Sequence, residues 1–139
     1  MRIPNSIINK PGALTPEERA VIETHTIEGE RMLHRVVGLL GSVGRNIRSC
    51  HERYDGTGYP DRLAGDQIPL VARIVSCCDA FSAMTTDRPY RAALPEEQAL
   101  GELAKNSGTQ FDPVVVEALI TALRQREAAG AQRAAAATA

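Results

Sequence analysis

The chain has 139 residues, with sixteen Lys plus Arg against seventeen Asp plus Glu and a formal net charge of −1. That length suits one domain, and the balanced charge leaves no global basic field to hold a nucleic-acid polymer, so a bound phosphate has to be gripped locally. Hydrophobic residues at 43% exclude a disordered chain, and aromatics at 4% with no tryptophan leave few platforms for stacking single strands.

The opening residues, MRIPNSIINKPG, lack the apolar core of a secretory signal, and no run approaches the roughly 18 apolar residues of a membrane span. Three cysteines, two of them adjacent at Cys77 and Cys78, do not make a disulfide framework. Reduced thiols and a cytoplasmic location are expected. Pro4, Pro11 and Gly12 predict an irregular start, after which Thr15, Pro16, Glu17 and Glu18 read as an N-cap, a first-turn proline and first-turn acids. The helix that begins there carries Ile22, His25, Gly29, Leu33 and Val36 on one face. Thr24 and Thr26, which bond readily to nearby backbone, are expected to bend or interrupt it.

A second helical segment follows Gly38 and Gly41, with Leu40, Val43, Ile47, Cys50 and His51 at helical spacing. Residues 52–69 then hold Gly56, Gly58, Gly65, Pro60 and Pro69, which is loop chemistry. The run LVARIVSCCDAFSAM predicts a third helix with Val71, Ile74, Val75, Cys78 and Phe81 inward and Asp79 in line with them. Pro95, Glu96 and Glu97 open a fourth helix that Asn106, Ser107 and Gly108 close. Asp112 and Pro113 open a fifth, with Val115, Val116, Leu119, Ile120 and Leu123 on its buried side. No alternating strand pattern appears. The chain therefore reads as an all-α bundle of about five helices over 1–127, ending in an Ala-rich disordered or frayed tail at 128–139.

His25, His51 and Asp79 each occupy a position where an apolar side chain is expected, and burying an uncompensated polar group costs several kcal/mol. Either each finds its own hydrogen bond, or two imidazoles and a carboxylate from three helices converge as a nitrogen and oxygen set suited to a first-row transition metal. Cys50 is either a small core residue or a soft ligand beside that site. His34 has no stripe of its own and reads as a surface residue. The sequence DGTGYP, taken alone, is a turn.

Five segments in order, IPNSIINKPGALTPEE, THTIEGERML, HERYDGTGYP, QIPLVARIVSCCDAFSAMTTDRPYR and SGTQFDPVVVEAL, closely resemble the HD-GYP domain, a branch of the HD phosphohydrolases. The resemblance covers about residues 2–125. It implies an all-helical, HD-domain-like fold, two or three bound metal ions, usually iron or manganese, and hydrolysis of the bacterial messenger cyclic di-GMP to pGpG or GMP. Carried over residue by residue, it implies metal binding at His25, His51 and Asp79. It further implies substrate contacts from Lys10, from Gly58 and Tyr59 of the GYP loop, and from Arg88 and Arg91, with Tyr59 either packing on guanine or bracing the loop.

The chain is read as departing from the family in three respects. The helices bearing the His-Asp dyad, which the family places just upstream of Arg2, are expected to be missing, and the family's His-His pair is Cys50-His51 here. Asp61 and Ala64 also stand near positions where the family carries basic residues, with Arg62 as a compensating charge. Fewer ligands imply reduced metal occupancy and impaired hydrolysis by this chain alone. The alternative is a degenerate module that binds cyclic di-GMP or a protein without turnover. Missing helices are also expected to uncover apolar faces, inviting association or partial unfolding, so that a marginal monomer is expected, with a homo-oligomer or an upstream sensory or regulatory domain as candidate partners.

Overall fold

In a computed structural model of the chain, the structure describes residues 3–36, 41–88 and 91–137. These residues form six α-helices: α1 (Asn5–Ile8), α2 (Pro16–Val36), α3 (Gly41–Ser49), α4 (Leu70–Thr85), α5 (Glu96–Lys105) and α6 (Pro113–Ala137). A single 3-10 turn, Gly65–Gln67, precedes α4. Among the described residues there is no strand; isolated bridges join Asp55 to Ala64, Arg88 to Arg91 and Ser107 to Phe111. The all-α expectation holds, with one short helix beyond the five. None of the described helices is long and apolar enough to cross a membrane. The chain divides into two compact units, Met1–Val75 and Ser76–Ala139.

In the first unit, α1 corrects the expectation of an irregular start. The amides of Ile7 and Ile8 donate to the Pro4 carbonyl at 2.9 and 3.2 Å, closing one turn that a proline can head because its missing N–H is not needed there. α2 begins with a reciprocal capping box: the Glu18 amide donates to Thr15 Oγ1 at 3.2 Å and the Thr15 amide to Glu18 Oε2 at 2.8 Å. Thr24 and Thr26 donate to the carbonyls of Val21 and Glu23, at 2.6 and 3.1 Å, yet α2 is unbroken. The hydroxyls use a second lone pair of those oxygens, so the ladder survives.

α3 packs along α2 through glycines. A Cβ added at Gly44 would meet Glu30 Cγ at 3.4 Å, and one added at Gly29 would meet Ile47 Cγ2 at 2.8 Å. This overturns the expected inner stripe of α3: Val43 and Ile47 are exposed, and Gly44 and Ser49 are buried instead. Leu40 lies outside the described residues. The two helices approach closely because glycines leave room, with the Ile47 side chain over Gly29 although it stays partly open to solvent. Consequently the buried set of this unit is short of hydrocarbon and includes Thr26, Ser49 and Glu52 beside Ile68 and Ala72.

Helix α4 also differs from its predicted phase. Val71, Ile74 and Val75 are 52%, 42% and 47% exposed, whereas Ala72 and Cys77 are buried. Asp79 is exposed and not embedded in an apolar stripe. Periodicity identified a face; it did not identify what covers it. Within the second unit, Cys77 joins Leu103, Phe111, Val115 and Val116 in the core, and Ala80, Phe81 and Met84 pack against it at helical spacing with Leu119 and Ile120.

The caps of the second unit match the sequence. The Val114 amide donates to Asp112 Oδ1 at 2.8 Å, which makes Asp112 the N-cap and Pro113 the first helical residue of α6. Gly108, at φ 79°, turns the chain after α5. The Ala-rich end continues α6 to Ala137 with exposed side chains at 124–133, helix that rests on alanine's propensity and not on burial.

Candidate active site and its brace

His25 projects from α2, and His51 lies just beyond the end of α3. Their rings meet edge to face with centroids 4.9 Å apart. Tyr59 completes the group, stacked on His51 at 5.2 Å and 22° and lying 6.4 Å from His25. His25 Nδ1 stands 2.6 Å from the Ile22 carbonyl oxygen, an acceptor only, so Nδ1 donates and the lone pair lies on Nε2. Backbone anchoring of one ring nitrogen is the usual way a metal-ligating histidine is oriented.

Two imidazoles fit one side of a transition-metal site, and their donor chemistry suits iron, manganese or zinc. Among the described residues, no group of three or more His, Cys, Asp or Glu is close enough together to hold a metal ion. Cys50, next to His51, directs its thiol at the Ile47 carbonyl, 3.1 Å away. Asp79, Arg88 and Arg91 belong to the second unit. Arg88 and Arg91 flank a tight turn, their backbones paired at 2.8 and 3.0 Å, and Arg91 Nη2 donates to the Ala83 carbonyl at 2.6 Å. Lys10 is ion-paired with Glu18 of the capping box, and that ammonium is the first cause holding the Glu18 carboxyl below its ordinary value. His34 is exposed on α2, as expected.

The loop presenting Tyr59 is braced from within. Glu52, 3% exposed, accepts the Asp61 amide at 2.7 Å and the Leu63 amide at 3.1 Å. Burial pushes its carboxyl up while those amides pull it down. Arg48 clasps Asp61 with Nε and Nη2 at 2.6 and 2.7 Å and reaches Glu30 at 3.0 Å. Asp55 accepts from Arg53, from the Thr57 amide and from the Thr57 hydroxyl, and Arg53 is the first cause holding its carboxyl well below the usual range. The Tyr59 amide donates to the His51 carbonyl at 3.3 Å, and the Tyr59–Pro60 peptide is cis.

Gly58 is required by space. A Cβ there would fall 2.3 Å from the Arg53 nitrogen and 2.6 Å from Glu52 Cα. Sequence reasoning missed Glu52, because a carboxylate at the edge of a Gly- and Pro-rich loop reads as solvated. Its partners are nine and eleven residues further on, beyond any local pattern.

A cyclic di-GMP phosphodiesterase response regulator of Xanthomonas campestris is 43% identical over 126 residues, covering 90% of this chain and 33% of that protein. A cyclic di-GMP phosphodiesterase of Thermotoga maritima is 42% identical over 119 residues, covering 85% and 32%. A 3'3'-cGAMP-specific phosphodiesterase of Vibrio cholerae is 40% identical over 119 residues, covering 85% and 23%. The chain thus spans a third or less of the length of these relatives. The fold also matches the crystal structure of a cyclic GMP-AMP-specific phosphodiesterase of Vibrio cholerae with a TM-score of 0.65, at 24% identity, over 88% of this chain and 32% of that one. A family model described as the HD domain matches residues 1–115, and the chain belongs to that family.

Proposed function

We propose that this chain is the part of a metal-dependent phosphodiesterase that supplies the GYP loop and part of the metal site, and that its substrate is cyclic di-GMP. The observation that carries this reading is the His25–His51 ring pair, 4.9 Å apart, directly against Tyr59 of the GYP loop. The relatives named as cyclic di-GMP phosphodiesterases support the substrate. His25 and His51 would supply two of the donors to a divalent ion, iron or manganese. Such an ion supplies Lewis acidity toward a phosphodiester. Lys10 would offer a cation to a phosphate, and on the second unit Arg88 and Arg91 would each offer a guanidinium, the better fit to a pair of phosphate oxygens. Gly58 and Tyr59 would form the wall against the nucleotide.

A second reading, a module that binds the dinucleotide with little turnover, is favoured by one observation: the Cys50 thiol is turned to a backbone carbonyl where the family carries a second histidine. Metal analysis after loading with iron or manganese, paired with product assay on cyclic di-GMP, separates the two. The enzyme reading expects metal that His25→Ala and His51→Ala each abolish, and slow release of pGpG or GMP. The binding reading expects saturable association without product. Metal content unchanged in both variants would sink the ligand assignment.

A further inference from the structure

A cavity of about 630 Å³ lies in the first unit between α2 and the GYP loop, with Glu23, Thr24 and Ile27 on one wall and Thr57, Tyr59 and Arg62 on the other. It is large enough for a nucleobase and its ribose. Three features set it apart from an ordinary surface cleft. First, a carboxylate, Glu23, and a guanidinium, Arg62, line the same space, yet they form no ion pair with each other. Among the described residues neither side chain has a hydrogen bond or ion pair. Opposite charges left apart in one cavity leave room for a ligand that offers donors to one and acceptors to the other.

Second, Arg62 is the one non-glycine with positive φ among the described residues, at 55°. That conformation is disfavoured for a side chain with a Cβ and persists only where the surroundings impose it. Here they do: the amides on either side of it, Asp61 and Leu63, are both held by the buried Glu52 carboxylate. A buried acid thus fixes an unfavourable backbone conformation at the residue that carries the cavity's cation. Third, Tyr59 both lines the cavity and stacks on His51, so the cavity adjoins the imidazole pair through one aromatic ring.

We infer that this cavity is a guanine-selective base pocket, with the Glu23 carboxylate accepting from N1–H and the N2 amino group, Arg62 donating to O6 and N7, and Tyr59 flanking the base. Guanine presents two adjacent donors on its Watson–Crick edge and two acceptors, O6 and N7, along the other, and arginine is the usual partner of that acceptor pair. Adenine presents an acceptor, N1, where the carboxylate would need a donor, and an amino group where the guanidinium would need an acceptor. The pocket therefore rejects adenine by leaving charged groups unpaired or opposed, which discriminates more strongly than a missing apolar contact. This deepens the proposed function, which says nothing of how the base is read.

The test titrates the full chain with GMP and AMP, using saturation-transfer NMR and calorimetry, and repeats it with Glu23→Gln and Arg62→Ala. In parallel, hydrolysis or binding of cyclic di-GMP is compared with cyclic di-AMP. The expected result is GMP binding that exceeds AMP binding by tenfold or more, a preference that Glu23→Gln lowers by about tenfold while circular dichroism stays native, since a charge-assisted hydrogen bond is lost. Arg62→Ala should weaken GMP more than AMP. Equal binding of the two mononucleotides by the native chain, or binding of neither, overturns the pocket assignment. So does a guanine preference unchanged in Glu23→Gln. Selective GMP binding without turnover of cyclic di-GMP would keep the pocket and remove the enzyme reading. Turnover of cyclic di-GMP with selectivity untouched in both variants would keep the enzyme and remove the pocket.

Discussion

Gly58→Ala is the sharpest perturbation the first unit offers. The added methyl would stand 2.3 Å from the Arg53 nitrogen, 2.6 Å from Glu52 Cα and 2.7 Å from the Glu52 carbonyl carbon, all backbone atoms that no rotamer change can move aside. Ordinary contact begins near 3.4 Å, so the loop has to withdraw by about an ångström, and overpacking of this kind costs about 1–3 kcal/mol. Withdrawal also stretches the Asp61 and Leu63 bonds to the buried Glu52, and a buried group left unsatisfied costs about 1–3 kcal/mol more. The expected loss is therefore about 2–6 kcal/mol, a large share of the stability of a small domain.

Gly65→Ala is the matched control in the same loop. Gly65 has φ 54° but nothing within 4 Å of the added Cβ, so its cost is conformational only, about 1–2 kcal/mol. Urea unfolding followed by circular dichroism measures both variants, and the ring-proton shifts of His51 report whether Tyr59 has moved off it. Gly58→Ala within about 0.5 kcal/mol of the native chain would refute the close-approach argument. So would a larger loss from Gly65→Ala than from Gly58→Ala.

Glu52→Ala should destabilise by about 2–3 kcal/mol because it strands two buried amide donors, and Glu52→Gln should recover part of that through one acceptor oxygen; equal losses in both would show that the bonds are not what the acid contributes. Arg48→Ala should cost only about 0.5–1 kcal/mol near neutral pH, since the Arg48–Asp61 pair is partly exposed. Arg48 holds the Asp61 carboxyl below its ordinary 3.8, so this contribution is present above that value and is lost as pH falls through the lowered one. The gap between native chain and variant should close in acid, and a gap that persists there would point to packing instead. Thiol labelling at mildly alkaline pH should modify exposed Cys78 at once and leave Cys77 untouched until urea is added, because burial raises the Cys77 thiol from 9.0 to about 11.

The readable parts of this fold were those whose cause is local. Thr15 with Glu18, Asp112 with Pro113, and the turn at Gly108 act within a few residues, and each appears as expected. The stripes of α3 and α4 failed because hydrophobic periodicity gives a face and not its cover. The α2–α3 contact runs through Gly29 and Gly44, which carry no hydrophobic signal at all. At the candidate site, His25, His51 and Asp79 stood out for the same reason, each interrupting an apolar run; His25 and His51 are neighbours, whereas the α3 stripe that led to His51 is not buried as expected and Asp79 is exposed. Arg62 stood out only as a compensating charge and Glu23 not at all, since a glutamate on a helix looks solvated until the cavity it lines is seen.

Among its described residues the first unit buries little hydrocarbon, and polar contacts converge on one of its loops. Glu52 and Arg48 hold the segment Asp61–Leu63, and the same segment sets Arg62 and the Tyr59 ring that stacks on His51. Stability and recognition therefore share their supports. A ligand that fills the cavity should raise the unfolding midpoint of this unit by mass action, by an amount set by its concentration over its dissociation constant. Weakening the brace should lower affinity even with Glu23 and Arg62 intact, because a strained Arg62 released from its conformation no longer presents a fixed donor pair. Arg48→Ala, which touches neither the imidazole pair nor the cavity, separates the two ideas. If the loop is a rigid reader, GMP affinity falls in proportion to the lost stability; if affinity is unchanged, the brace serves the fold alone.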